Sequence, residues 1–340
     1  MSMTIGWLLS SYLISLLVVR GAIGYAHRRG MLDLPGQRRS HHVATPRGGG
    51  IGVVVALLIC LPGALSSGSR AWPHSVTAGL VGGFLLVAVA GWWDDHRSLP
   101  VLPRLLAQLT GIGLFATGLL ATGTAWWWLP LLLIGGVWST NLHNFMDGID
   151  GMLAQQVIFV GAGLALLAWV AGQPALARAT AMLAVAMAAF GWFNRPPARI
   201  FMGDVGSGST GMLVFAFSAM LWQAAPVLLW PALILSSAFV VDASLTLLTR
   251  MWRGRRWYTA HREHLYQWLV RRGATHAQAD AIYLGWNLLV AAPSAWLACS
   301  HPQVALPLAM AVYVVASISW LVLKRRCLRR HLHKVRHVVA

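Results

Sequence analysis

Long apolar runs alternate with short polar islands along the whole chain, and the runs are long enough to cross a bilayer. Eleven such runs can be read, approximately 3–19, 50–66, 75–93, 101–122, 124–140, 152–171, 176–194, 207–223, 226–249, 281–299 and 304–323. Backbone polar groups have no water to bond within lipid, so each run is expected to be a helix. The two-residue alternation of a membrane barrel is absent. The expected fold is therefore all-α, a polytopic membrane helix bundle. Residues 1–323 are expected to form its membrane-embedded domain and 324–340 a basic tail. The first run lacks a basic start and a small-residue cleavage site, and is read as a mature helix.

Composition agrees with this reading: 57% of residues are apolar and 10% charged. Charge then sets the orientation. With the N-terminus outside and eleven spans, all Lys and Arg residues but Arg70 and Arg178 fall on the C-terminal side, which is therefore expected to be cytoplasmic. All nine acidic residues lie on or near that same side, although the orientation rule made no use of them. The formal net charge of +17 does not argue for nucleic acid, because arginine-rich loops beneath a membrane report topology and contact with anionic lipid. Cys60, Cys299 and Cys327 show neither metal nor disulfide spacing.

Five polar islands carry the candidate chemistry. In "RRSHHVATPRGGG", Arg38, Arg39 and Arg47 offer forked donors for phosphate, and three glycines would let the backbone approach a ligand; a flexible basic loop fits equally well. In "GWWDDHRSLPVLPR", Asp94 and Asp95 end an apolar helix. Negative charge there opposes the helix dipole by roughly 0.3–1 kcal/mol per group, so a cation, or Arg97 and Arg104, should compensate. Adjacent carboxylates can bind a divalent cation or share a proton as a base.

The stretch "NLHNFMDGIDGM" sits in an inner loop with no Lys or Arg. Asn141 and Asn144 are three apart, as are Asp147 and Asp150; on a helix each pair would share a face, and Gly148 and Gly151 would end it. Amides bonding across a bundle explain the asparagines but not two acids near lipid, so the stretch is expected to be a site. In "NRPPARIFMGDVGSGSTG", one acid, Asp204, stands among glycines and hydroxyls. Ser207, Ser209 and Thr210 ahead of a helix could cradle phosphate, or the segment could be an ordinary Gly/Ser turn. No Lys follows, so it is not a Walker loop. Finally, Asp242, Thr246 and Arg250 make a polar stripe at four-residue spacing, and His261 and His264 flank Arg262 and Glu263. A zinc-protease pattern needs histidines four apart, so an anion-contacting cluster is preferred over a zinc site, with a solvated basic loop remaining open.

In this order the islands "DLPGQRRSHHVATPRGGG", "GWWDD", "NLHNFMDGIDG", "ARIFMGDVGSGSTG" and "AHREHLYQ" resemble the polyprenyl-phosphate N-acetylhexosamine-1-phosphate transferase family. The last is closer to the branch that initiates O-antigen and teichoic acid than to the phospho-MurNAc-pentapeptide translocase. The resemblance implies attack of undecaprenyl phosphate on the β-phosphorus of a UDP-N-acetylhexosamine, giving a polyprenyl-diphosphate sugar and UMP. It also implies a bacterial inner-membrane location, surrounding membrane lipids as partners, and a need for Mg²⁺, with Mn²⁺ as an alternative; it leaves room for a homodimer. By resemblance, Asp204 and Asn144 are metal ligands, and Asp147 and Asp150 line the nucleotide site with Gly148 and Gly151. Asp94 and Asp95 act on the lipid phosphate, and His261, Arg262 and His264 contact diphosphate or sugar. Arg47, Arg104, Asn141, Asn194, Gly206 and Ser207 are carried over as substrate contacts. Two other classes fit less well. A membrane prenyltransferase would want two D-x-x-x-D clusters, and a transporter would tend to carry ionisable groups at mid-membrane and an internal repeat.

Overall fold

In a computed structural model of the chain, residues 2–33, 44–68, 70–256, 259 and 261–339 are described, with residue 2 and residues 329–339 by backbone alone. Arg38 and Arg39 lie outside the described residues. The chain forms α1 (Ser2–Arg29), β1 (Leu32–Asp33), β2 (Thr45–Pro46), α2 (Ile51–Ser66), α3 (His74–His96), α4 (Val101–Leu120), α5 (Leu129–Met146) and α6 (Met152–Val170). There follow α7 (Pro174–Asn194), α8 (Asp204–Ala224), α9 (Leu229–Trp252), α10 (Leu265–Arg271), α11 (His276–Trp286), α12 (Ala292–Ser300) and α13 (Ala305–Val339). A π turn over Asn287–Ala291 joins α11 to α12 as one rod.

This is an all-α membrane bundle. Each of the eleven apolar runs coincides with a helix, the α11–α12 rod counting as one. Among the described residues nine helical segments are long and apolar enough to cross a membrane; α2 is shorter, and α5, which carries the asparagine stretch at its end, is not among the nine. The large apolar side chains left exposed, such as Leu17, Ile134, Leu166, Leu289 and Met310, are the ones a lipid environment would cover. The last helix runs without a break through the basic tail, so 324–328 extend α13 rather than starting a new element.

Small residues bring the central helices into close contact, as expected where lipid supplies no hydrophobic drive between them. α3 runs along α4, where a Cβ on Gly83 would stand 2.0 Å from the Gly111 carbonyl oxygen. Closer to the site, a Cβ on Gly91 would stand 2.4 Å from the Asp204 carbonyl oxygen, so the start of α8 rests directly on α3. On the other flank, Ser11 and Ser15 of α1 donate to the Met182 and Ala186 carbonyls of α7. α8, at the centre, is buried nearly all round.

One feature was not anticipated from the sequence. β1 and β2 pair antiparallel, Leu32 with Pro46 and Asp33 with Thr45, and Arg47 bridges to Phe201. The glycines after Arg47 serve this packing. Gly49 and Gly50 donate their N–H groups to the Phe201 and Met202 carbonyls, and a Cβ on Gly50 would stand 2.3 Å from Gly206 Cα. They let backbone meet backbone rather than a ligand.

Candidate active site

The polar islands converge on a cavity of about 640 Å³ at one end of the bundle, a size usual for small-molecule sites. Asp33, Arg47, Asp95, Asn144, Asp147, Gly148, Asp150, Asn194, Asp204, His261 and Arg262 line it, together with Gln267 and Arg271, which the sequence did not mark as site residues. Arg70 and Arg178 sit at the opposite end: Arg178 donates to the Ala64 and Ser67 carbonyls that end α2, and Arg70 to the Gly172 carbonyl.

The two adjacent aspartates take different roles, because successive helix residues point about 100° apart. Asp94 does not line the cavity, though its carboxyl reaches the Asp204 side chain that does. Asp94 pairs with Arg104 at 2.8 Å and accepts the Leu99 N–H at 2.6 Å, which supplies the compensation its position at a helix end requires. Asp95 faces the cavity wall and accepts from the backbone N–H groups of Asp204 and Val205, both at 3.0 Å. It is 2% exposed. The carboxylate thus occupies the N-terminus of α8, where the helix dipole favours negative charge. Arg47 donates to the Asp95 carbonyl at 2.5 Å.

This geometry corrects the phosphate-cradle reading of "GDVGSGSTG". α8 begins at Asp204, so Ser207, Ser209 and Thr210 lie inside the helix rather than before it. Ser209 and Thr210 donate to their own helix carbonyls, and the first N–H groups are taken by Asp95. Gly206 packs against Gly50 and Met202, and neither it nor Ser207 lines the cavity.

The asparagine stretch also divides. α5 ends at Met146, so Asp147 and Asp150 belong to a turn and do not share a helix face. Asn141 and Asn144 are on α5 but meet different neighbours. Asn141 donates to Gln108 of α4 at 2.7 Å and does not reach the cavity. Asn144 donates to Asp204 and, at 3.0 Å, to the Ser207 hydroxyl. Gly151 has φ +84°, caps the N-terminus of α6, and donates its N–H to Asn194 Oδ1 at 2.9 Å. Asp150 accepts the Ala198 N–H at 3.0 Å, with His276 3.2 Å away. Gly148 leaves room for Tyr266, whose hydroxyl donates to the Phe145 carbonyl.

Asp147 is held away from the ordinary behaviour of a carboxylate. Burial pushes its pKa well above the usual range, and the like charges of Asp204, Asp95 and Asp150 push the same way. Such a cluster favours a bound cation. Among the described residues no three carboxylate, imidazole or thiolate groups are arranged to hold a metal by themselves. Asp204 and Asn144 already touch, with other carboxylates close by, and turning the amide over presents its oxygen at the same place. Magnesium commonly takes one or two protein ligands and completes its shell with water and phosphate oxygens, so the residues present fit it.

Across the cavity stand the histidines. The rings of His261 and His264 stack with centroids 4.9 Å apart, and Phe145 lies against both. Burial, together with the neighbouring histidine and Arg250, lowers His261 to about 4; burial also lowers His264. Both imidazoles are therefore neutral near pH 7 and offer hydrogen bonds rather than charge. Arg262, lowered by partial burial and by Arg271, supplies the cation. His264 does not line the cavity itself.

The description "Glycosyl transferase family 4" matches residues 77–222, which run from α3 to the end of α8 and hold both acidic islands. Over those residues the chain is similar to glycosyl transferase family 4. That is the polyprenyl-phosphate N-acetylhexosamine-1-phosphate transferase family its motifs resemble. Similar proteins include a "probable undecaprenyl-phosphate N-acetylglucosaminyl 1-phosphate transferase" of Bacillus subtilis, 27% identical over 293 residues covering 82% of this chain and 79% of the relative. A decaprenyl-phosphate N-acetylglucosaminephosphotransferase of Mycobacterium tuberculosis is 26% identical over 343 residues, 87% of this chain and 83% of the relative. A phospho-N-acetylmuramoyl-pentapeptide-transferase of Synechococcus sp. is 35% identical over 239 residues, 61% of this chain and 62% of the relative.

Proposed function

We propose that this protein transfers N-acetylhexosamine-1-phosphate from a UDP-N-acetylhexosamine to undecaprenyl phosphate at the cytoplasmic face of the inner membrane, releasing UMP. The observation that carries this reading is the cavity itself, where buried carboxylates face Arg262 and Arg271 across a space open to a diphosphate. The family match and the two long alignments with N-acetylglucosamine-phosphate transferases support it. The initiating step of a surface glycan such as O-antigen is the role that "AHREHLYQ" suggests.

Moving a phosphosugar between two anions requires neutralising diphosphate charge. A magnesium ion on Asp204 and Asn144 would withdraw charge from the diphosphate oxygens. Arg262 would bind the diphosphate from the opposite wall, with neutral His261 donating a hydrogen bond. Asp150, Gly151 and Asn194 form the ordered turn suited to hold the nucleotide. Arg47 and the Asp95 end of α3 lie where a lipid phosphate would enter from the bilayer. Asp95 already accepts two N–H groups and Asp94 is paired to Arg104, which favours orienting roles for both; a phosphate ionised at neutral pH needs no base.

The decisive assay incubates purified protein with UDP-GlcNAc, Mg²⁺ and undecaprenyl phosphate and measures UMP. Lipid-dependent UMP release is expected; its absence with every UDP-N-acetylhexosamine tried would reject the reading. Eleven spans with the N-terminus outside follow from the arginine distribution. A cysteine placed at Ser67 in a Cys-free background should react only from the outer side, and labelling from the cytoplasm alone would overturn that orientation.

A further inference from the structure

The stripe of Asp242, Thr246 and Arg250 on α9 has no part in the chemistry above. Asp242 is 2% exposed, and a carboxylate this deeply buried is costly unless every lone pair is used. Here donors from four elements surround it. Its Oδ1 accepts the Leu265 N–H of α10 at 2.8 Å, the Trp320 indole N–H of α13 at 2.8 Å and the Thr246 hydroxyl at 3.2 Å. Its Oδ2 accepts the Tyr283 hydroxyl of α11 at 2.6 Å. Leu265 is the first residue of α10, and the residue before it is His264, whose Nδ1 stands 3.9 Å from Asp242 Oδ1. Two turns along the same stripe, Arg250 pairs with Glu263, which also pairs with Arg255 at 2.9 Å. The stripe therefore grips the segment 263–265 at two points, just beyond the residues that face the cavity.

We propose that Asp242 is a positioning residue for the reaction: it fixes the N-terminus of α10 through Leu265 and so holds His261 and Arg262 against the cavity, with the Arg250–Glu263 pair as a second tether. This rests on the proposed function only for its kinetic consequence; the tether itself does not depend on it. The physical reason for a carboxylate is acceptor count. An amide presents one acceptor oxygen where the carboxylate presents two, so Asp242→Asn must leave Tyr283 or the Leu265 and Trp320 donors without their partner.

The test uses the full-length protein in detergent. Amide hydrogen exchange of Asp242→Asn should speed up in 261–268 while 144–151 and 204–210 keep the wild-type pattern. Unchanged exchange in 261–268, or an equal rise across all three segments, would overturn the proposal. In the UMP assay, kcat should fall between about 10- and 100-fold, the size of a small misplacement of binding groups, with UMP affinity retained. The loss should be much smaller in an Arg262→Ala background, because both changes act through the same loop. Full additivity would overturn the proposal. If wild-type protein releases no UMP, the proposed function fails while the exchange comparison still decides the tether. If Asp242→Asn does not accumulate, Tyr283→Phe and Trp320→Phe, each removing one donor, should show the same exchange pattern in weaker form; their failure to do so would count against it equally.

Discussion

Gly203 is the position where one added methyl group should cost most. Its φ of +76° and ψ of 170° lie in a region that is essentially restricted to glycine, and an alanine held there costs on the order of 1–3 kcal/mol. The Cβ would also stand 2.6 and 2.8 Å from the two Asp95 carboxylate oxygens and 2.9 Å from Gly48 Cα. Those oxygens bind the Asp204 and Val205 N–H groups, and hydrogen bonds to a charged group contribute about 1.5–3 kcal/mol each. Relief requires Asp95 or the start of α8 to move by several tenths of an ångström, weakening at least one of the bonds. The combined penalty is on the order of 3–5 kcal/mol, concentrated where Asp204 is aimed. Gly203→Ala should therefore lower the melting temperature and cut kcat by roughly 10- to 100-fold, the upper end being the cost of a full 1 Å misplacement. Gly208, one turn into the same helix, is the control. Its Cβ would meet nothing nearer than Thr140 Cγ2 at 3.4 Å, so Gly208→Ala should stay close to wild type. Both variants would be compared by UMP release and by thermal unfolding in detergent. A Gly203→Ala protein with ordinary activity and stability, or a Gly208→Ala protein equally damaged, would refute the reasoning.

Four further outcomes are expected. Asp204→Asn should abolish turnover while the protein stays folded and inserted; near-normal activity at limiting Mg²⁺ would show that Asp204 is no ligand. Burial and like charges make Asp147 hold its proton to higher pH than an ordinary carboxyl, and a nearby cation opposes that proton, so half-saturating Mg²⁺ should fall as pH rises. A pH-independent Mg²⁺ requirement would contradict this. Arg262→Ala should cut kcat/KM for the UDP-sugar by about 100-fold and be at least as damaging as His261→Ala or His264→Ala, since both imidazoles are neutral near pH 7. Zinc should be negligible by metal analysis; stoichiometric zinc would restore the metal-site reading of the histidine pair.

The sequence by itself determined the membrane fold and the end of the bundle that carries chemistry. Apolar runs must become helices in lipid, and acids that lipid penalises are retained where they have work, so both signals are local in the chain. Hence the helices fall where the apolar runs predict, and Asp95, Asp147, Asp150 and Asp204 share one cavity. Only the tertiary structure decided which member of each pair faces it. Asp94 and Asp95 are neighbours in sequence, yet helix rotation sends one to Arg104 and the other under α8. Asn141 and Asn144 part in the same way, to α4 and α8. The serines of "GSGST" read as a loop until α8 is seen to begin at Asp204, a start fixed by a carboxylate from α3. Asp242 looked like one element of a stripe, but its role depends on donors from α10, α11 and α13 that lie 23, 41 and 78 residues away. Composition and spacing report what a residue costs to bury. Which partner repays that cost is a long-range fact of packing, and the chain reveals it only once folded.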